Sequence, residues 1–509
     1  MTTPSIRVRF APSPTGPFHI GGVRTLLFNW FFAKKNHGTL ILRIEDTDRA
    51  RSTLENEKNL LADIKRFGID YQEGPDVGGP HAPYRQSERF KMYADYAKKL
   101  VSEDRAYYCF CSPETLAQKS EAALKLGRTP IYDGTCSRQS LDAAKARMAK
   151  GEKAGLRFRS PKKNYTLTDM VRGDIEFKDG TVGDFLITRS PNDGEQEIGE
   201  GIGMPVYNFC CVIDDHGMAL THVIRGEDHL SNSVRQLMMY EAFGWKPPQF
   251  AHMAMVLGSD RQKLSKRNGD ASVKDYLDKG YLPEAIINFL ALLGWWPGAD
   301  VKSTSGHPEI FSVQELIQHF DVKGLQKSAA VFDVQKLQWM NSHYIRALPL
   351  EEVAQRSRPF FESSEFQEVK DGVRGKSEAW FNLMIDSIRG EVMMLSELPK
   401  LARFFFNSEL SLEDEAKKIL SEPQAPAVVQ AFEKGLSGQT GDLNAEQIDT
   451  LQKQVAKDLG VKGKALFMPF RAITTGSAHG PELKKVLPLL GRQEVLKRIQ
   501  SLKQQASIS

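Results

Sequence analysis

The sequence predicts an α/β protein: a parallel strand, helix, strand domain that carries an insertion, followed by an all-helical C-terminal third. Three observations carry this prediction. Residues 5–11 alternate apolar and charged, and an amphipathic stretch and a second apolar run follow at once. Between about Tyr107 and Val206 the texture changes to cysteines, short helical pieces and isolated strand-like runs. Beyond about Gly298 strand signals fade and helical periodicity dominates.

In chain order, Ile6, Val8 and Phe10 fall on one face of the first strand and Arg7 and Arg9 on the other, the pattern of a half-buried strand. Prolines at 12, 14 and 17 exclude helix from the next stretch, because each pushes the residue before it into an extended conformation. A helix is predicted over about Ile20–Lys35, with Leu26, Leu27, Trp30 and Phe31 on one stripe. The run Leu40-Ile41-Leu42-Arg43-Ile44 reads as the second strand and ends in Glu45-Asp46-Thr47-Asp48. Ligands of a parallel α/β unit gather beyond the carboxyl ends of its strands, where the proline-glycine stretch and the Glu45 cluster would lie. Residues 107–206, with strand-like pieces at Leu156–Arg159 and Asp184–Arg189, read as an insertion, and the fold resumes at the strand Thr221–Gly226. In the helical third Ile448, Leu451, Val455 and Leu459 form one seam, and breakers at Glu422-Pro423, Gly435–Gly441 and Gly476–Pro481 punctuate it.

Composition narrows the classes. At 509 residues the chain exceeds one core, and roughly two to four domains are expected. It is 41% hydrophobic and 26% charged, with no unbroken apolar run near the ~20 residues that span a bilayer. Met1-Thr2-Thr3-Pro4-Ser5 lacks the apolar core of an export signal, so a cytoplasmic protein without a membrane partner is expected. The five cysteines, Cys109, Cys111, Cys136, Cys210 and Cys211, do not spread as a disulfide framework would. They fit a reducing compartment and leave room for a metal site. The net charge of +4 decides nothing about RNA, because an acidic catalytic half can mask a basic binding face.

Two segments carry chemistry. The first is Pro12-Ser13-Pro14-Thr15-Gly16-Pro17-Phe18-His19-Ile20-Gly21-Gly22, which leads into the first helix. A helix start has unpaired backbone N–H groups and partial positive charge, so phosphates are drawn there. Gly21 and Gly22 lack a Cβ and let a base or phosphate lie against the backbone. His19 can donate a hydrogen bond to a phosphate oxygen as charge builds on it. The Gly-Lys-Ser/Thr ending of a P-loop is absent, and a proline-rich turn capping a core helix is the alternative reading. The second segment, Lys263-Leu264-Ser265-Lys266-Arg267, lies between the turn signals Gly258-Ser259-Asp260 and Asn268-Gly269-Asp270 and is predicted to be a flexible loop. Its cations could neutralise a triphosphate and follow pyrophosphate as it leaves, with Ser265 adding a hydroxyl donor. A solvated basic loop is the alternative there. Together, and in this order, the two segments favour a nucleotide clamp.

These segments resemble the H-I-G-H and K-M-S-K-S signatures of class I aminoacyl-tRNA synthetases. Arg9–Gly16, Arg43–Asp48, Tyr84–Arg89, Val212–His216, Val223–Asp228, Phe332-Asp333, Leu337–Asn341 and Gly463–Pro469 are similar to strings of the bacterial glutamyl-tRNA synthetase family, from the first strand to near the C-terminus. The resemblance implies a Rossmann-like catalytic domain in two halves, 1–106 and 207–250. It also implies an inserted acceptor-stem-binding domain at 107–206, a stem-contact region with the K-L-S-K-R loop at 251–330, and an α-helical anticodon-binding domain at 331–509. The implied reaction couples ATP and L-glutamate to a glutamyl adenylate and then passes glutamate to the 3′-terminal ribose of tRNA(Glu). A monomer is expected.

Carried over by residue, the resemblance implies that Arg9, Ala11, Ser13, Glu45, Tyr207, Cys211 and Arg225 surround the glutamate; relatives often carry asparagine where Cys211 stands. An arginine can grip a carboxylate bidentately, and a buried acid such as Glu45 suits an α-ammonium; a structural ion pair is the alternative for each arginine. His19, Gly21, Gly22, Glu227, His229, Lys263 and Lys266 would line ATP. His19, Lys263 and Lys266 would stabilise phosphate charge, with Mg2+ bridging phosphate oxygens. Gly22 replaces the second histidine of the first signature, and Arg267 stands where the second signature ends in serine.

Cys109, Cys111, Cys136 and Tyr132 resemble a zinc site of truncated relatives, a tetrahedral Zn2+ that would tie the ends of the segment together. Arg138 occupies a position where some relatives place a histidine ligand, and three buried thiols without metal are the alternative. The rival assignments are glutaminyl-tRNA synthetase, which usually ends in β-barrels, the truncated enzyme that glutamylates a tRNA nucleoside, and a non-catalytic RNA-binding paralogue. Glu391 falls near the place where relatives use an arginine to guard the third anticodon base, so charging of tRNA(Gln) stays open.

Overall fold

The computed structural model describes residues 5–191, 197–199, 201–262, 264, 272–407 and 410–506, and the chain forms two compact units. The first gathers residues 1–275 and 286–333, and the second gathers 276–285 and 334–509.

In the first unit β1 (Arg7–Phe10) leads through α1 (Ile20–Lys35) to β2 (Thr39–Leu42), which pairs in parallel with β1, Arg7 opposite Thr39 and Phe10 opposite Leu42. After α2 (Leu54–Arg66) and α3 (Phe90–Ser102) come β3 (Ala106–Cys109), α4 (Pro113–Lys125), α5 (Leu141–Ala149) and β4 (Gly155–Phe158). Strands β5 (Tyr165–Asp169), β6 (Gly173–Phe177) and β7 (Phe185–Thr188) follow, then α6 (Tyr207–Gly217), β8 (His222–Gly226), α7 (Leu230–Ala242) and β9 (Gln249–Met253). β8 runs beside β1, joined at its start by Arg7 N–H to Thr221 Oγ1 (2.8 Å) and Thr221 N–H to Arg7 O (3.0 Å).

Three expectations change. The charged face of β1 is not solvated: Arg9 is 3% exposed and faces Asp215, and Arg7 pairs with Glu73 at 2.8 Å. Alternation alone cannot tell water from buried counter-charge on a polar face. Helix α1 is buried nearly all round, Arg24 and Asn29 included, because Phe28 and Phe31 pack on Phe320 while Asn29 Nδ2 donates to Ile224 O in β8. The stretch between α3 and α6 is only partly separate. β3, β4 and β7 form their own antiparallel sheet, but the β5–β6 hairpin extends the central sheet, with β5 parallel to β9 at Asp169 and Phe250. Leu156, Phe158 and Ile187 share a core with Tyr93, Phe209 and Met239.

The second unit is helical, and no strand occurs among the described residues beyond Val331. One core joins Ile345, Val353, Phe361, Phe381 and Leu398; Asn341 ties residues 276–285 to it, accepting from Leu282 N–H at 2.7 Å and donating to Met393 O at 2.6 Å. A second core centres on Phe432 and Phe470, stacked at 3.8 Å. Of the predicted seam, Ile448, Leu451 and Val455 are buried, whereas Leu459, the last residue before the left-handed Gly460, is 38% exposed. Among the described residues no helix is long and apolar enough to cross a membrane.

Candidate active site

Past the carboxyl ends of β1 and β8 opens a cavity of about 600 Å³. Arg9, Ala11, Ser13, His19, Gly21, Gly22, Glu45, Tyr207, Arg225 and His229 line it, together with Phe18, Arg24, Asp228, Met255 and Leu264. His19 caps α1: its Nδ1 accepts from Gly22 N–H at 3.2 Å, so in the neutral imidazole the proton sits on Nε2. A Cβ at Gly22 would come within 2.7 Å of the Phe18 ring, which is why the smallest residue stands there. Lys263, Ser265, Lys266 and Arg267 lie outside the described residues. Leu264 is described; it lines the same cavity, and its N–H donates to Val256 O at 3.1 Å.

On one side sits an ion cluster built by β2 and α6. Arg43, fully buried, donates to Asp215 Oδ1 at 2.6 Å and Glu45 Oε1 at 3.0 Å, with Asp214 Oδ2 at 3.8 Å. Asp214 also accepts from Arg89, Gln86 and Tyr93 at 2.7, 2.9 and 2.8 Å. Burial pushes the Glu45 carboxyl above the usual range, and Arg43 and Arg9 offset only part of that. Cys211, expected to touch the amino acid, does not line the cavity; it is fully buried behind Glu45, donating its S–H to Oε1 at 3.3 Å. Both contacts fall on Oε1, so Oε2 takes no hydrogen bond among the described residues.

The other side is built by β8, α7 and β9 around Arg225, 4% exposed. Its Nε donates to His252 Nε2 at 3.1 Å, and its Nη2 to Ser233 Oγ at 2.8 Å and Gln236 Oε1 at 2.9 Å. Its Nη1 is buried without a hydrogen-bond partner among the described residues. Among the described residues Arg225 therefore has only uncharged direct partners, a costly state for a buried cation unless an anion joins it. Arg9 Nε likewise has no hydrogen-bond partner among the described residues, with Asp215 Oδ1 at 3.6 Å.

At the nucleotide end, Glu227 departs from expectation. Its Oε1 accepts from Met255 N–H at 2.8 Å and its Oε2 from the Arg172 guanidinium, and the side chain does not line the cavity; the next residue, Asp228, does. The single turn Glu227–His229 at the end of β8 decides this, and sequence spacing cannot reveal it. Burial, then the charge of Arg225, lowers the His229 imidazole to about 4, so it is neutral near pH 7. Two further cations escaped the sequence reading. Arg43 looked like a strand residue, and Arg24, buried on α1 with Nη1 on Ala254 O at 2.7 Å, is lowered to about 10 by burial, with Glu227 partly offsetting it.

Away from the cavity, the sulfurs of Cys109, Cys111 and Cys136 lie within 4.8 Å of one another, Cys111 and Cys136 at 3.7 Å. Tyr132 Oη is 3.4 Å from Cys109 Sγ and 3.5 Å from Cys111 Sγ, and the Arg157 guanidinium lies 3.8 Å over the Tyr132 ring. Such spacings match the edges of a tetrahedron of about 2.3 Å Zn–S and about 2.0–2.2 Å Zn–O bonds, so the four residues fit zinc. In the second unit Glu391 is exposed and electrostatically faces Arg471.

Residues 5–339 match the family model for the catalytic domain of class I tRNA synthetases of the E and Q type, and residues 350–503 match an anticodon-binding domain. The chain is similar to the glutamate–tRNA ligase of Carboxydothermus hydrogenoformans, 44% identical over 498 residues, covering 98% of this chain and 99% of that one. It is 42% identical over 500 residues to the glutamate–tRNA ligase of Desulforamulus reducens, covering 98% and 99%. A crystal structure of a glutamate tRNA ligase from Elizabethkingia meningosepticum, in complex with its amino acid, superposes with a TM-score of 0.83 at 31% identity, covering 97% of this chain and 98% of that one.

Proposed function

The chain belongs to the class I tRNA synthetases of the E and Q type, and from that premise we infer that it is a glutamate–tRNA ligase. The glutamate carboxylate attacks the α-phosphate of ATP, releasing pyrophosphate; a 3′-terminal ribose hydroxyl of tRNA(Glu) then attacks the adenylate carbonyl, releasing AMP. The observation that carries this reading is Arg225, a buried cation at the cavity with no carboxylate of its own.

An incoming carboxylate supplies the missing counter-charge, while Arg9 adds a second guanidinium on the same cavity. Glu45, with Oε2 uncommitted, suits the α-ammonium, and Ala11, Ser13 and Tyr207 complete the walls. ATP, arriving with its magnesium, lies along the start of α1. There His19 donates from Nε2 to a phosphate oxygen, and Gly21 and Gly22 admit the nucleotide against the backbone, with Asp228 and His229 beside it. Lys263 and Lys266 neutralise the departing pyrophosphate. The chain's work is alignment and charge stabilisation rather than covalent chemistry. Residues 107–206 hold the acceptor end, and the helical region reads splayed anticodon bases.

Cys109, Cys111, Tyr132 and Cys136 would hold zinc, whose role there is to cross-link the end of β3 to residues 132–136. Metal analysis of the purified chain should find about one zinc per chain, lost in Cys136→Ala.

The direct test is charging of purified tRNA(Glu) and tRNA(Gln), each with glutamate and with glutamine. Glutamate transfer to tRNA(Glu) is expected; transfer of glutamine alone would overturn the assignment. Lys266→Ala should slow pyrophosphate exchange far more than it weakens glutamate binding, and an unchanged exchange rate would remove Lys266 from the mechanism.

A further inference from the structure

Arg225 is oriented by a chain of hydrogen bonds that reaches into the β5–β6 hairpin. An arginine Nε can only donate, so His252 Nε2, 3.1 Å away, must accept. The imidazole proton therefore sits on Nδ1, which faces Asp169 Oδ2 at 2.6 Å. Asp169 is itself surrounded by donors. Its Oδ1 accepts from Val171 and Arg172 N–H, each at 2.9 Å, and its Oδ2 from His252 N–H at 3.1 Å. With only donors around it, Asp169 is held as the carboxylate, and the order carboxylate, neutral imidazole, guanidinium has one consistent arrangement of protons. His252 is 0% exposed and Asp169 3% exposed, so no water substitutes for either partner.

The interposed imidazole matters for what Arg225 can bind. Were Asp169 in direct contact, it would neutralise Arg225, as Asp215 and Glu45 neutralise Arg43. Placed behind a neutral ring, the carboxylate orients the guanidinium while leaving Nη1 without a hydrogen-bond partner among the described residues. Resting on the reading of Arg225 as the grip on the amino acid, we propose that Asp169 and His252 are a positioning pair that fixes Arg225 and sets the preference for an anionic side chain over its neutral amide. Reversal of the imidazole proton would set Nε2–H against Arg225 Nε–H, donor against donor, and turn the guanidinium out of register.

The test is tRNA charging by the full chain, with KM for glutamate, KM for ATP and the glutamate-to-glutamine preference measured for each variant. His252→Ala removes the acceptor and should raise KM for glutamate at least about tenfold, the worth of one hydrogen bond to a charged group. KM for ATP should stay within about twofold, and the preference for glutamate should fall. His252→Gln restores an acceptor for Arg225 and should recover most of both losses. Asp169→Asn, nearly isosteric, introduces a donor that permits the reversed tautomer and should behave like His252→Ala; it carries the test if thermal melting shows that His252→Ala does not fold. An unchanged KM for glutamate, a parallel rise in both KM values, or no rescue by glutamine at position 252 overturns the positioning pair. Failure of the underlying reading is distinguishable, because Arg225→Leu would then leave KM for glutamate unchanged in a protein that still charges glutamate.

Discussion

Arg43, just after β2, and Arg225, in β8, are both hidden from water, 0% and 4% exposed, yet they are paired in opposite ways. Arg43 lies among Glu45, Asp214 and Asp215, so its charge is already answered and its role is to lock β2 to α6. Arg225 is met by an imidazole, a hydroxyl and an amide, so it is held in place but not neutralised. Burial alone therefore does not separate a structural cation from a binding one; the charge of the partners does.

The contrast breaks most visibly at Arg43. Arg43→Leu takes the close cationic partner from two buried acids, Glu45 and Asp215, and should cost about 3–5 kcal/mol of stability, read in a denaturant melt; a loss under about 1 kcal/mol would erase the distinction. Arg225→Leu should do the reverse. It removes a buried cation without a direct counter-ion, so the melting point should hold or rise, while glutamate affinity falls by about 2–5 kcal/mol, roughly 30- to 5,000-fold. Equal damage to folding would show that Arg225 is structural after all. A smaller probe is Gln236→Leu, which deletes one neutral partner of Arg225 and should raise KM for glutamate by about tenfold or less with folding intact.

The least change is expected from pH. Burial first, and the charge of Arg225 besides, lower the pKa values of His229 and His252, while Asp169 raises that of His252 only in part. The unfolded chain protonates these imidazoles below about 6.5, whereas the folded chain resists, so the unfolded state holds more protons and stability falls as pH drops from there toward about 4. The Asp169 carboxyl lies below its usual value: its burial is outweighed by His252 and by backbone N–H groups, so its contribution is present above about 3.8 and is lost further down. Melting temperature should decline between pH 6.5 and pH 5, less steeply in His252→Gln, and a flat profile would contradict a neutral His252.

Much of the fold is legible from the chain. Leu156–Phe158 and Phe185–Thr188 are strands, α1 spans Ile20–Lys35 as its periodicity indicates, and the C-terminal region is helical. The glycine-rich segment at His19–Gly22 and the distant Leu264 meet at one cavity, consistent with two separated motifs sharing a ligand. Other features were hidden for physical reasons. Arg7 and Arg9 were assigned only to the polar face of a half-buried strand, because a strand's period reports two faces and not what covers each. Glu227 and Asp228 are neighbours with the same charge, and only the backbone turn after β8 decides which one reaches the cavity. Cys211 sits one helical turn beyond Tyr207, yet its sulfur is taken by Glu45 from another element.

Local chemistry along the chain was enough to specify β1, β2, β4, β7 and β8, the capped glycine-rich helix start, the cysteine cluster and the helical C-terminal part, because each depends on residues close together in sequence. Which buried charge is answered and which is left open depends on partners far apart along the chain: Asp169, Arg225 and His252 from β5, β8 and β9, and Arg43 and Asp215 from β2 and α6. Electrostatic energy depends on distance in space and not on separation along the backbone, so that choice was made only when the strands and helices packed together.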